Sequence, residues 1–266
     1  MELLKFVRRR SFLSETIYSL LNIALAVAVV VTIYYTGSVW LGIGLVLISK
    51  WRIFAVRPRF WYANLLSNLV DIIVSISVVI LLFTITQAPV TNNQELTLLA
   101  LGTFLYVVWL LFLKPRSRRV YMVAQAGVAL LLGTWALFTI TYSVPVSLVV
   151  LGMWGIGYSV ARHVLSTYDN ETYTLFLSLV WGLIIAEIGW VAYHWTIAYS
   201  LPLTTSLLIP QVSIISVLAG FVAYKSYDSF YHHDKIRIAD IILPLLFSVS
   251  VIALLLFLFN RVGTAI

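Results

Sequence analysis

Four polar residues, Asn64, Asn68, Asp71 and Ser75, stand 4, 3 and 4 residues apart in "ANLLSNLVDIIVSISVV". At about 100° per residue that spacing sets them within an arc of roughly 60° on one helix. A second acid, Glu187, sits in "SLVWGLIIAEIGWVAYHWTIA", residues 178–198, with no Lys or Arg in the same run. Both carboxylates are enclosed by apolar sequence long enough to cross a bilayer. An acid at the centre of such a helix costs roughly 2.5–3.5 kcal/mol on insertion scales. Polar groups kept at that cost mark proton relays, cation sites or the lining of a polar cavity. Without a basic partner, a desolvated acid takes up a proton or holds a cation. The expectation is that neither acid has a deep basic partner, because every lysine falls in a loop or at a terminus.

Other groups extend the two sites. His194 shares the face of Glu187, with Phe176, Val180, Leu183 and Trp190 on the same stripe. Gln211 follows Pro210, which removes a backbone donor and frees a carbonyl that some group must satisfy. The proton- or cation-binding candidates are therefore Asp71, Glu187, Asn64, Asn68, Ser75, His194 and Gln211. The competing structural reading is a hydrogen-bonded knot of Glu187, His194, an aromatic ring and Gln211. A weaker cluster, "YKSYDSFYHHDKIRIAD" at 224–240, holds Asp228, His232 and Asp234, all metal-ligand types. Its spacing matches no metal signature, and no cofactor is expected.

These residues are carried by an exceptionally apolar chain. Of its 266 residues, 62% are hydrophobic and 10% charged, against about a quarter charged in a soluble domain. Apolar runs of roughly 20 residues, the length that crosses the hydrocarbon core, recur at 14–36, 38–54, 60–85, 95–113, 120–141, 145–161, 172–196, 201–224 and 240–261. They are continuous rather than alternating, which excludes a β-barrel. The fold class is an all-α polytopic transmembrane bundle of about nine helices, one integral membrane domain over residues 1–266. The connecting loops are too short to hold a soluble catalytic domain.

The basic residues orient it. Lys5 and Arg8–Arg10 precede the first run; Lys50, Arg52, Arg57 and Arg59 follow the second. Lys114, Arg116, Arg118 and Arg119 follow the fourth, Arg162 the sixth, and Lys225, Lys235 and Arg237 the eighth. If nine helices alternate, these 16 of the 17 Lys and Arg residues share one side, and only Arg261 lies opposite. Positive charge favours the cytoplasmic side, so the N-terminus is expected inside and the C-terminus outside. The net charge of +7 is accounted for by this rim and its anionic lipid head groups, with no nucleic-acid partner. Because the chain has no cysteine, a cysteine placed at Ser117 is a unique label. It is expected to react with a membrane-impermeant maleimide only after cells are opened; labelling in intact cells would reverse the orientation.

Two motifs are set aside. "RRRSFL" at Arg8–Leu13 looks like a twin-arginine export signal, but a long apolar run without a cleavage site follows, so it reads as an orienting anchor. "NET" at Asn170–Thr172 is a glycosylation sequon on the expected cytoplasmic side. Asn92 with Glu95 reads as a capping box, and Asp169, Glu171 and Asp240 as anions at helix N-termini.

An offset of 110 residues aligns Leu41, Gly42, Ser49 and Arg52 with Leu151, Gly152, Ser159 and Arg162. This suggests four-helix repeats over 1–114 and 115–225 plus a ninth helix, although "LFTIT" at 82–86 and 137–141 supports a different register. The short second and sixth runs carry glycines (Gly42, Gly44; Gly152, Gly155, Gly157). Such spans line transporter sites, or pack closely through small residues.

"SKWRIFAVRPRFWYANLLSNLVD", "KPRSRRVYMVAQAGVALLLG" and "SYDSFYHHDKIRIADIILPLLF" resemble an uncharacterised family of multi-pass inner-membrane proteins from small-genome candidate-phyla bacteria. The resemblance implies a bacterial cytoplasmic membrane and no particular activity. From the residues, the leading expectation is transport or sensing of a small solute or ion through the intramembrane carboxylates. A non-catalytic scaffold, a homo-oligomer or a partner subunit of a membrane complex is the alternative. An enzyme is less expected, since paired Asp-rich motifs, a serine-protease nucleophile and a Schiff-base lysine in a helix core are all missing.

Overall fold

The computed structural model describes residues 2–141, 144–169, 171–195, 197–201 and 204–257, with side chains described from residue 13 onward except at 201–206. Nine α-helices occur among them, and seven are long and apolar enough to cross a membrane. The chain is a multi-pass membrane protein with an all-α bundle fold. It divides into two compact units, Met1–Tyr121 and Met122–Ile266.

The first unit holds α1 (Glu2–Thr36), α2 (Val39–Ser49), α3 (Trp61–Gln87) and α4 (Asn92–Val108), the last continuing into a π-helical turn over Trp109–Leu113. Gly37 takes φ +60° and donates its N–H to the Ile33 carbonyl at 2.9 Å, a left-handed stop that ends α1. The interior is built from Ala26, Val29 and Ile33 of α1, Val46 of α2, Val74 and Val79 of α3, and Leu110 of the π turn, all fully buried. A Cβ on Gly42 would stand 2.9 Å from Val79 Cγ1, so α2 and α3 approach at a position where only glycine fits.

The second run departs from expectation. The sequence predicts a helix over 38–54, but α2 has 11 residues, about 16 Å of rise and half the hydrocarbon thickness. Beyond Lys50 the backbone makes 3-10 turns at Trp51–Ile53 and Pro58–Phe60 before α3 begins. Pro58 disfavours a helical conformation at Arg57. The irregular carbonyls are met locally: Trp61 Nε1 donates to Phe54 at 3.1 Å and Val56 at 2.9 Å. At the start of α4 the cap is Thr91 rather than Asn92. Its hydroxyl accepts from Gln94 N, and the Gln94 side chain accepts from Thr91 N, which closes the capping box one residue earlier than expected.

The second unit takes in α5 (Arg119–Ile140) from Met122 onward, then α6 (Val146–Leu165), α7 (Thr174–His194), α8 (Gln211–His233) and α9 (Ile238–Phe257). Helices α6 and α7 make its most extensive interface. A Cβ on Gly157 would lie 2.8 Å from Ile185 Cβ and 3.2 Å from the Gly182 backbone. Close packing therefore accounts for Gly42, Gly152 and Gly157, whereas Gly44 and Gly155 face open space.

The eighth run is the second departure. A helix was expected over 201–224, with a kink at Pro210. Instead an antiparallel hairpin pairs β1 (Ala198–Leu201) with β2 (Thr204–Pro210), and Pro210 is the residue that precedes α8. The β-branched Thr204, Thr205 and Ile209 suit a strand, and Pro210 has no N–H to place inside a helix. Gln211 N donates to the Ile197 carbonyl at 2.7 Å, tying the helix start to the hairpin. The last turns of α8 carry Lys225, Asp228, His232 and His233, so α8 is not among the seven apolar spans.

Acids at helix starts behave as read from the sequence. Glu171 accepts from Tyr173 N at 2.6 Å and from the Tyr227 hydroxyl, and Asp240 accepts from Ser229 Oγ at 2.8 Å. Asn170 of the sequon lies outside the described residues.

Candidate functional site: two carboxylates in opposite surroundings

Asp71 lies ten residues into α3, about 15 Å from the helix start. The expectation that it lacks a deep basic partner is wrong. Lys50 Nζ forms a salt bridge with Oδ2, and Lys114 Nζ lies 2.9 Å from the same oxygen. Trp109 Nε1 donates to Oδ1 at 3.3 Å, and Lys50 also donates to Ser75 Oγ at 3.1 Å. Lys50 is not a loop residue on the lipid rim: it is 7% exposed, and Asp71 is 8% exposed. The hydroxyl of Tyr106, one turn before Trp109, is buried and has no hydrogen-bond partner among the described residues.

Each element contributes by a specific local irregularity. Because α2 stops halfway, its C-cap residue Lys50 meets the middle of α3 instead of a membrane surface. A cation there also meets the negative end of the α2 dipole. The π turn serves Asp71 from the other side. Five residues apart, Trp109 and Lys114 would diverge by about 140° on an α-helix. The i+5 bond from Lys114 N to the Trp109 carbonyl, at 2.9 Å, brings both onto the face that meets Asp71. The Asp71 oxygens are thus committed to two ammonium groups and an indole, an arrangement that holds elements together. It does not offer an open proton or cation site.

The rest of the α3 stripe is similarly spent. Asn64 Nδ2 donates to the Ile53 carbonyl at 2.9 Å, steadying the irregular segment after α2, and Asn68 Nδ2 donates to the Asn64 carbonyl at 2.8 Å. Asp71 and Ser75, at the inner end of the stripe, are buried, whereas Asn64 and Asn68 are half-buried.

Glu187 has the opposite environment. It is exposed and has no hydrogen bond or ion pair among the described residues, and it lies on the open side of a cavity of about 720 Å³ lined also by Trp195, Gln211, Ile215, Ile252 and Leu256. The expected knot does not form. Gln211 Nε2 donates to Tyr199 Oη at 2.7 Å and to the Leu255 carbonyl at 3.0 Å. Burial raises the Tyr199 phenol above its ordinary range, which keeps it a neutral acceptor. His194 packs its ring against Trp190 and Tyr193, with centroids 4.9 and 5.5 Å away. The structure brings Glu187 and Gln211 to one cavity and leaves His194 outside its lining.

The loop cluster is likewise occupied. Tyr168 Oη donates to Asp228 Oδ1 at 2.9 Å, and His232 Nδ1 lies 2.8 Å from the Asp228 carbonyl. Asp234 takes φ 53° as the left-handed stop of α8. Among the described residues no three His, Cys, Asp or Glu side chains are grouped to hold a metal ion.

No family model, curated protein or solved structure matches the chain.

Proposed function

We propose that the chain is a carrier or sensor of a small solute or ion in a bacterial inner membrane, with Glu187 as its proton- or cation-binding group. The observation that carries this reading is the unpartnered Glu187 carboxylate on a cavity of about 720 Å³. An acid with no protein partner, on a helix long and apolar enough to cross a membrane, is available to a cation or proton that reaches the cavity. Asp71, already neutralised by Lys50 and Lys114, has a positioning role and fixes the half-length α2.

Infrared difference spectroscopy of the purified protein tests the division of roles. One component of the carboxyl C=O band that appears on acidification is expected to be missing in Glu187→Gln. Vesicles containing the wild-type protein are expected to show a proton flux that vesicles containing Glu187→Gln lack. A Glu187→Gln variant that folds and keeps both that component and the flux would overturn the proposal.

The alternative is a scaffold that packs against another membrane helix. It is favoured by Gly44 and Gly155, where a Cβ would meet nothing within 4 Å. Co-purification of a stoichiometric membrane protein, lost in Gly44→Leu or Gly155→Leu, would support it over the carrier.

A further inference from the structure

Helices α7 and α8 are consecutive but meet only sparsely, and the seam between them is open along much of its length. Two cavities follow it. The first, of about 720 Å³, holds Glu187. The second, of about 350 Å³, is lined by Val123, Gly127, Leu130, Trp181, Phe221 and Tyr224 among others, and the two share Ile184 in their walls. The charges on the two linings are unequal. Glu187 is the one ionisable carboxylate on either, and no Lys, Arg or His lines them. The acid lies about 10 Å from the end of α7 at His194, while the apolar cavity extends from Ile184 back to Leu177. From Glu187 to Leu177 the helix rises about 15 Å, room for an extended chain of roughly a dozen methylenes.

We infer that the α7–α8 seam binds a single-chain amphiphile with a protonated amine head, its ammonium on Glu187 and its alkyl chain in the apolar cavity beside Gly127. The inference rests on the proposed role of Glu187 and names the class of cation it takes. A carboxylate between apolar walls rejects anionic amphiphiles by repulsion. It gains over neutral ones through a charge-assisted hydrogen bond that the lipid surroundings do not weaken. The apolar cavity contributes affinity in proportion to chain length, because each methylene added leaves water or loose detergent for a packed wall. Gly127 lies within the α5 wall of that cavity, between Val123 and Leu130, and its missing side chain leaves open space, with no heavy atom within 4 Å of a Cβ placed there. A leucine at that position would narrow the chain's path, and its Cβ meets no neighbour.

The test uses native mass spectrometry of the full chain in a neutral detergent with dodecylamine, dodecanol and dodecanoate as probes. Wild-type protein is expected to bind dodecylamine about tenfold tighter than dodecanol and to bind dodecanoate least. Glu187→Gln should bring the amine and the alcohol level while leaving alcohol binding intact. Gly127→Leu should weaken dodecylamine but not octylamine, because only the longer chain reaches that wall. Equal binding of amine and alcohol by the wild type, or a Gly127→Leu variant indifferent to chain length, would overturn the inference. Competition by phosphatidylethanolamine in nanodiscs as strong as by dodecylamine would overturn the single-chain assignment. The infrared band separates this outcome from failure of the broader reading. A Glu187 band that responds to acid but not to dodecylamine retains the proton-binding role and removes the amphiphile.

Discussion

Asp71→Asn is expected to lower the unfolding free energy by about 3–5 kcal/mol, the usual cost of removing one partner from a buried ion pair. The loss comes from what remains. Lys50, 7% exposed, would keep an ammonium inside the first unit with only neutral acceptors, the new amide oxygen and Ser75 Oγ, and no counter-charge. Lys114 has an escape, since its side chain is 29% exposed and its long stem can turn the charge to the surface. The double variant Lys50→Met with Asp71→Leu should therefore regain most of the stability, because it removes both desolvated charges together. Denaturant unfolding of the purified protein in detergent checks the pair of results. An Asp71→Asn protein as stable as wild type would mean that the carboxylate is not held by its lysines, and would return it to the list of exchangeable proton sites.

Gly157→Leu is expected to cost about 1–3 kcal/mol, the range for overpacking a close interface, and to separate α6 from α7. The obstacles are Ile185 Cβ at 2.8 Å and the Gly182 backbone at 3.2 Å from the added Cβ. Neither is the far end of a flexible side chain, so the helices themselves must move. Two residues earlier on the same helix, Gly155 meets nothing within 4 Å. Gly155→Ala should be neutral or stabilising by up to about 1 kcal/mol through helix propensity. Thermal unfolding midpoints of the two variants separate packing from propensity. Equal shifts in both would remove the argument that this interface depends on glycine at one position.

Lys50, the π turn and the hairpin depart from the sequence pattern for a shared physical reason. Lys50 follows an apolar run and precedes three arginines within nine residues, the pattern of a membrane rim. Hydropathy cannot distinguish an 11-residue helix that stops at mid-depth from a longer one that reaches the surface, because both are apolar throughout. Likewise nothing in "LYVVWLLFLKPR" distinguishes a π turn from an α turn. The two forms differ by one residue per hydrogen bond, and that difference decides whether Lys114 and Trp109 share a face. The hairpin had a local signal in its two prolines and adjacent threonines, outweighed by the hydropathy of "SLLIP".

What the sequence determined by itself follows from the bilayer as a solvent. Continuous apolar runs require helices, since every backbone polar group in hydrocarbon must be satisfied within its own segment. The loop charges, the polar stripe on α3 and the presence of two deep acids were legible for the same reason: each is costly, so its position is informative. Which acid is neutralised was decided only by tertiary structure. Pairing Asp71 with Lys50 and Lys114 requires three elements to meet, each shaped by an irregularity of its own. Glu187 has no partner among the described residues, and Gln211, on the same cavity, is taken by Tyr199 and Leu255. Residue type and spacing set the cost of burying a charge, but only the assembled fold determines what answers it.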